Sequence, residues 1–225
     1  MVMTGTPGSD LILINEEFYA DVVTPGQLDL LLADAWRHFG EHFFRYSLGV
    51  YRDEIRRVIP LRIRLADFQL SKSQRRNLRN NNDLRVEIHP IKITPESDDL
   101  FHRHKQRFDH GVPASVYDFL SPEPAAIPCE AREIAVYDND KLVAVSYFDI
   151  GLTTTSGIYA AFDPDESARG LGIFTMLKEN EFSIDAGKEF YYQGYAYEGE
   201  SFYDYKKRFA ATEMFDWNGV WSPIT

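Results

Sequence analysis

The chain has 225 residues, 44% hydrophobic and 14% aromatic, enough apolar side chain for a full core in one or two domains without covalent staples. Its formal charge of −11 excludes a uniformly basic nucleic-acid binder, and its single cysteine, Cys129, excludes a disulfide framework or a cysteine metal cluster within one chain. No run reaches membrane-spanning length and the opening MVMTGTPGSD has neither the basic start nor the apolar centre of a signal peptide, so the expected location is the cytoplasm, away from membranes.

The first ten residues are polar and predict no element; Leu11 to Ile14 predicts a short strand. Pro25 to Phe39 predicts a core helix, with Leu28, Leu31, Leu32, Ala35, Trp36 and Phe39 on one side and Gly40 as its stop. His38 and His42 have the spacing of a helical metal pair, but Gly40 lies between them and no third ligand is near, so they read as uncoordinated. From Phe43 to Phe68 the chain alternates like strands, Leu61, Ile63 and Leu65 facing one way and Arg62 and Arg64 the other.

The next segment, SKSQRRNLRNN, predicts a helix with a Ser71/Gln74 capping box and with Lys72, Arg75, Arg76 and Arg79 at i, i+3, i+4 and i+7 on one face. Between Arg52 and Arg85 there are ten Lys or Arg against four Asp or Glu, and no acid falls between residues 68 and 82. A single-signed stripe in an otherwise acidic chain suits a phosphate backbone. Leu84 to Ile93 predicts a strand and Pro95 to Phe108 a helix that opens on acids; His102, His104 and His110 near it read as surface or packing residues. Residues 111–130 are a proline-rich loop with one short helix near Tyr117 to Leu120. Glu133 to Tyr137 and Leu142 to Ile150, joined by Asp138-Asn139-Asp140, predict a hairpin.

A strand from Ile158 to Phe162 stops at Asp163-Pro164-Asp165, and Arg169-Gly170-Leu171-Gly172 then opens a helix that ends at Gly187. A strand, a glycine loop and a helix N-terminus in sequence turn unpaired N–H groups toward whatever sits above the strand end, which suits an oxyanion or phosphate; close packing alone also accounts for the glycines. Glu189 to Tyr197 predicts another strand, Tyr203 to Phe209 a short basic aromatic segment, and Trp217 to Trp221 a last strand.

This element order resembles the N-acetyltransferase superfamily. That likeness implies an α+β fold with a splayed mixed sheet and flanking helices. Several separated segments resemble, more narrowly, the aminoacyl-tRNA-protein transferases, the arginyltransferases and their bacterial leucyl-transferring relatives. They are RIRLADFQLSKSQRRNLRNN (62–81), KLVAVSYFDI (141–150), IYAAFDPD (158–165), RGLGIFTMLKE (169–179), YYQGYAY (191–197) and YKKRF (205–209). The resemblance implies a GNAT-like transfer domain over residues 71–225 behind a small N-terminal α/β subdomain over 1–70. The family's usual cysteine cluster before Leu61 is replaced by RYSLGVYRDEIRRVIP, so no metal and no other cofactor is expected.

The implied reaction moves an amino acid, arginine before leucine, from aminoacyl-tRNA to the N-terminal amine of proteins that begin with Asp or Glu, marking them for degradation. Expected partners are therefore charged tRNA and acidic-N-terminal proteins, with neither DNA nor membrane. An aminoacyl ester is already activated, so the enzyme mainly positions an uncharged amine and stabilises an oxyanion. On that chemistry Asp163 and Asp165 are candidates for binding an amine or ammonium group, a role that turn formation and capping rival. Gln193 and Tyr195, taken to share a strand face, are candidates for orienting the donor. Arg169, Gly170 and Gly172 are candidates for the oxyanion or the terminal adenosine, and Tyr205, Lys206 and Arg208 for the acidic acceptor. Lys72, Arg75, Arg76 and Arg79, with Arg62 and Arg64, are the candidate tRNA surface. Two other readings stay open: an N-acetyltransferase using acetyl-CoA at the glycine loop, and a tRNA- or degradation-signal-binding module without activity.

Overall fold

The computed structural model describes residues 13–109 and 111–224; the first ten residues, the beginning of the strand expected at Leu11, and His110 lie outside them. Strand β1 (Asn15–Tyr19) leads into helix α1 (Pro25–Ala33), then β2 (Arg37–Phe39) and β3 (His42–Tyr46). Thr24 and Gln27 form a capping box at the start of α1, and Pro25 occupies its first turn, where a missing N–H costs nothing. Leu28 and Leu32 are buried as the helical spacing requires, but the helix ends six residues before Phe39. Ala35 turns the chain at φ 63°, and the residues after it extend to pair with β3. His38 and His42 therefore stand on neighbouring strands, and the half-buried His42 bonds the exposed Glu17 at 2.9 Å. The three strands make a small antiparallel sheet in the order β1-β3-β2.

The second sheet is built from β4 (Leu48–Tyr51), β5 (Glu54–Arg64), β6 (Arg85–Pro90), β7 (Ala131–Asp138), β8 (Lys141–Ile150), β9 (Thr154–Phe162), β10 (Phe190–Tyr197), β11 (Thr212–Phe215) and β12 (Trp221–Pro223). Its order is β12-β11-β5-β10-β9-β8-β7-β6, with β4 added to β5. Strand β5, assigned from sequence to an N-terminal unit ending at residue 70, thus lies inside the large sheet between β11 and β10. Around the sheet stand α2 (Lys72–Asn80), α3 (Pro95–Lys105), α4 (Leu171–Asp185) and the short α5 (Asp204–Lys207). The continuous apolar run of β8 follows from burial on both faces. Val145 and Tyr147 pack with Leu100 and Phe101 of α3, whereas Val143, Ala144 and Phe148 pack with Leu171 and Phe174 of α4.

One register decides where chemistry is placed. Strands β9 and β10 are parallel and pair only from Thr154↔Phe190 to Ser156↔Tyr192. Beyond that point β9 continues against β8 while β10 continues against β5, so the two strands part and leave a wedge in the middle of the sheet. This is the splayed mixed α+β sheet of the N-acetyltransferase type. Helix α4 follows β9 through a glycine loop, as expected from its sequence.

Candidate active site

Where β9 loses its partner, its polar groups need others. Arg37 of β2 supplies them: its guanidinium donates to the Ser156 hydroxyl and to the Gly157 carbonyl. Gly157 lies at a register shift between β8 and β9. A Cβ there would fall 2.8 Å from the Tyr191 hydroxyl and 3.0 Å from a Glu179 carboxylate oxygen, so only glycine lets those groups approach the strand. Glu179 comes from the inner face of α4 and is 3% exposed. Tyr191 of β10 donates its hydroxyl to Glu179. Burial raises the Glu179 pKa to about 7 against the opposing effect of the neighbouring hydroxyls, Tyr191 first, and of Arg37. Burial, and then the adjoining carboxylate, hold the Tyr191 phenol well above its ordinary value.

Lys206 of α5 approaches from the β10 side. Its Nζ donates to the Tyr195 carbonyl at 3.1 Å and stands 5.2 Å from the centre of the Tyr203 ring. Burial, followed by the positive charge of Arg37, lowers its pKa to about 7, while Glu179 pulls the other way. Gln193 is the extra residue of a bulge between β10 and β5. Its Nε2 donates to the Lys206 carbonyl at 3.1 Å, and its Oε1 is buried without a hydrogen-bond donor among the described residues. A carboxylate able to take a proton near neutrality and an amine able to lose one therefore flank the wedge, beside a fixed guanidinium. The cavity next to Arg37, lined also by Trp36, Gly194 and Tyr195, has a volume of only about 10 Å³.

The residues singled out from the sequence fall into distinct places. Asp163 is fully buried and ion-paired to Arg103 at 2.7 Å and Lys141 at 2.8 Å, clamping the end of β9 to α3 and to the β7–β8 hairpin. Burial pushes its pKa up, and the bonds from Lys141 and Arg103 outweigh that and hold it at about 2. Both its cationic partners belong to the protein, so the expectation that it binds an amine gives way to a structural clamp. Asp165 is exposed, and its N–H caps onto Asp163 at 3.1 Å. Arg169 is also committed. It makes a two-pronged bond to Asp83 at 3.1 and 3.0 Å and a third to Glu166 at 3.0 Å, which leaves little of its charge for a donor phosphate.

Gly170 has φ 63°, and a Cβ on it would stand 2.9 Å from the Asn77 amide. That amide donates to the carbonyls of Arg169 and Gly170, and Asn81 donates to Arg169 as well. The glycine loop is thus tied directly to α2, and the first-turn N–H groups of Leu171 and Gly172 have no partner within their own helix. On α2 itself the capping box forms and Lys72, Arg75, Arg76 and Arg79 are all exposed. Arg62 and Arg64 are different: both bond Glu213, which is 3% exposed, at 2.8 Å in the case of Arg62. The Arg62 guanidinium also lies 3.8 Å from the centre of the Phe190 ring and 4.4 Å from that of Trp221. It is packed as part of the sheet and is not open to a phosphate backbone.

Gln193 and Tyr195 do not act from a shared face, because the bulge breaks the alternation between them. Gln193 turns to α5, and the Tyr195 hydroxyl donates to the Ala35 carbonyl at 2.6 Å. Lys206 and Arg208 likewise separate, the first beside the wedge and the second exposed, while Tyr205 packs partly buried near Tyr191 and Phe209. The sequence reading missed Arg37, Glu179, Tyr191 and Ser156. Glu179 had a signal: Thr175, Glu179 and Ser183 recur at i, i+4 and i+8 on the side of α4 that faces inward. A polar stripe on a buried helix face needs partners: Thr175 and Ser183 find backbone carbonyls of their own helix, and Glu179 finds Tyr191. Arg37 had none, since only the pairing of two sheets brings it to β9. Apart from this site, His38, Cys129 and Asp149 are the described residues whose ligand atoms cluster closely enough to hold a metal ion.

The family described as arginine-tRNA-protein transferase, C terminus, matches residues 96–216. The aspartate/glutamate leucyltransferase of Stenotrophomonas maltophilia strain R551-3 is 32% identical over 203 residues, covering 85% of this chain and 78% of that protein. The protein of the same name from Xanthomonas euvesicatoria pv. vesicatoria strain 85-10 is 30% identical over 176 residues, covering 73% and 70%. Among solved structures, the ribosomal-protein-S18-alanine N-acetyltransferase from Escherichia coli aligns with a TM-score of 0.34 and 18% identity over 46% of this chain and 62% of that one. With a match over more than half its length and relatives of this similarity, the chain belongs to the family of aminoacyl-tRNA-protein transferases, enzymes that take their substrates from tRNA and protein.

Proposed function

We propose that this protein transfers leucine from leucyl-tRNA to the N-terminal amine of proteins that begin with Asp or Glu, and that the product is thereby marked for degradation. The names of its relatives favour leucine over the arginine expected from the sequence. The observation that carries the chemistry is the wedge between β9 and β10, where Glu179 bound to Tyr191, Lys206 and Arg37 converge.

In this reading the aminoacyl ester carbonyl enters the wedge beside the Arg37 guanidinium, which Ser156 and Gly157 hold in place. The acceptor amine attacks the carbonyl carbon, forming the amide C–N bond, and gives one proton to Glu179 by way of the Tyr191 hydroxyl. The oxyanion faces Arg37. As the C–O bond to the ribose breaks, Lys206 in its ammonium form protonates the leaving oxygen, and the proton held on Glu179 restores it. Gln193, with its free Oε1, holds the ammonium of the donor amino acid. Helix α2 grips the acceptor stem through Lys72, Arg75, Arg76 and Arg79, and its Asn77 and Asn81 fix the glycine loop beside that stem. No metal or organic cofactor takes part in these steps.

The test presents the purified protein with leucyl-, arginyl- and phenylalanyl-tRNA in turn, together with peptides beginning with Asp, Glu or Ala, and with acetyl-CoA in a parallel arm. Leucine should appear on the Asp and Glu peptides alone. Transfer of arginine instead would replace the donor, acetylation would replace the reaction class, and tRNA binding without any transfer would make the protein a binding module.

A further inference from the structure

Three side chains meet at the seam between the two sheets: His38 on β2, Cys129 just before β7 and Asp149 on β8. They are 4%, 3% and 1% exposed. His38 Nε2 lies 3.0 Å from Asp149 Oδ2, Cys129 Sγ lies 3.5 Å from Asp149 Oδ1, and Sγ and Nε2 are 3.9 Å apart. A tetrahedral zinc ion, with bonds of about 2.0 Å to nitrogen and oxygen and about 2.3 Å to sulfur, sets such ligand atoms roughly 3.3 to 3.6 Å from one another. The nitrogen–sulfur edge is a few tenths of an ångström longer than that shape, the nitrogen and the sulfur meet different oxygens of the Asp149 carboxylate, and one ligand atom from each residue lies within 4.8 Å of the other two, so a small rotation of that carboxylate closes the set.

The outer nitrogen of His38 supports the same reading. Its Nδ1 is 2.8 Å from the Gly40 carbonyl oxygen. A carbonyl only accepts, so Nδ1 carries the hydrogen, and in a neutral ring the Nε2 lone pair then points at a carboxylate and a sulfur. A ring oriented by a backbone carbonyl behind it, with its free nitrogen facing two anionic donors, is the arrangement that precedes metal binding. The alternative that satisfies the same atoms is an imidazolium paired with Asp149. It leaves the thiol, which burial and Asp149 push far above its ordinary pKa, as a bystander.

We propose that His38, Cys129 and Asp149 bind one zinc ion, or a divalent ion of similar softness, with a water as the fourth ligand. Binding releases the Cys129 proton to solvent, and the two carboxylate and thiolate charges balance the ion. The ion staples β2 to β7 and β8 and so fixes the residue next to His38, which is Arg37 at the wedge. Its role is to hold position; it stands outside the transfer steps.

Cobalt(II) is the probe. Because Cys129 is the only cysteine of the chain, any thiolate-to-cobalt charge-transfer band in the near ultraviolet belongs to it and no variant is needed to assign that band. The full-length protein, stripped and titrated with cobalt(II), should develop this band together with the visible bands of a tetrahedral ion, saturating at one equivalent. Zinc should abolish both and remain bound at one ion per chain after dialysis. Cys129→Ser should lose the ultraviolet band, and His38→Gln and Asp149→Asn should weaken binding more than tenfold. A wild-type protein that binds cobalt without the ultraviolet band, or retains no zinc, overturns the proposal and leaves the imidazolium–aspartate pair.

Discussion

The clearest separation in the structure is between two sets of arginines, and replacing them tests whether α2 is the tRNA surface. Lys72, Arg75, Arg76 and Arg79 are exposed along one side of α2, whereas Arg62 is 12% exposed and held by Glu213, Phe190 and Trp221. Each phosphate contact on nucleic acid contributes about 0.7 to 0.9 to the slope of log K against log salt. Removing two with Arg75→Ala and Arg76→Ala should flatten that slope by about 1.4 to 1.8. Because the electrostatic contribution vanishes near 1 M salt, the same change predicts binding weaker by roughly 15- to 30-fold at about 0.15 M. The melting temperature should stay within a few degrees, since neither side chain is buried. Arg62→Ala should do the opposite. It leaves the buried Glu213 with Arg64 alone and strips a cation from two aromatic faces, a loss of about 2 to 4 kcal/mol, or a melting shift of about 5 to 15 °C in a chain of this size. Its salt slope should not change. Fluorescence titration of labelled leucyl-tRNA at several salt concentrations, with melting curves for each variant, measures both. An unaltered slope in the double variant would show α2 to be a solvated face, and a flattened slope in Arg62→Ala would show that the sheet arginine reaches the tRNA.

Two further outcomes follow from the buried charges. Glu179→Gln should lower kcat about 100-fold or more while leaving tRNA affinity as it is, because the amide keeps the shape and loses the base. In the wild type, Glu179 must be ionised and Lys206 protonated, and both titrate near 7, so the rate should pass through a maximum close to that pH; the Gln variant should lose the part of the acid limb set by Glu179 and keep the one set by the acceptor amine. A kcat within threefold of wild type would remove Glu179 from the mechanism. Asp163→Asn should destabilise by about 1 to 2 kcal/mol near neutrality, less than the full shift suggests because Arg103 and Lys141 are 35% and 54% exposed and re-solvate. The folded Asp163 has a pKa of about 2 against an ordinary 3.8, so its contribution is complete above about 3.8 and fades as pH falls toward 2. Melting curves of wild type and variant should converge over that interval, and a gap that does not narrow would refute the clamp.

What the sequence by itself determined is local. Ser71 and Gln74 cap α2, Lys72 to Arg79 share its face, and Pro164 and Gly170 end a strand and begin α4, because each depends on dihedral preference and spacing within a few residues. The strand order from β7 to β10 was also legible, since the alternation and the glycine loop recur in a known arrangement. Helix α1 was overrun to Phe39 because Trp36 and Phe39 keep helical spacing by coincidence. A left-handed Ala35 and pairing with β3 settle their state, and both are tertiary matters. The candidate site lay further out of reach. Asp163 is a buried ionic clamp only because Arg103 and Lys141, 60 and 22 positions away, fold over it, and Arg37 meets Ser156 across 119 residues. The pKa values of Glu179 and Lys206 arise from burial beneath segments distant in the chain, so a window of sequence carries the charge of a side chain but not the dielectric around it. Only where β9 and β10 stop pairing does the structure decide which of the many polar residues face one another.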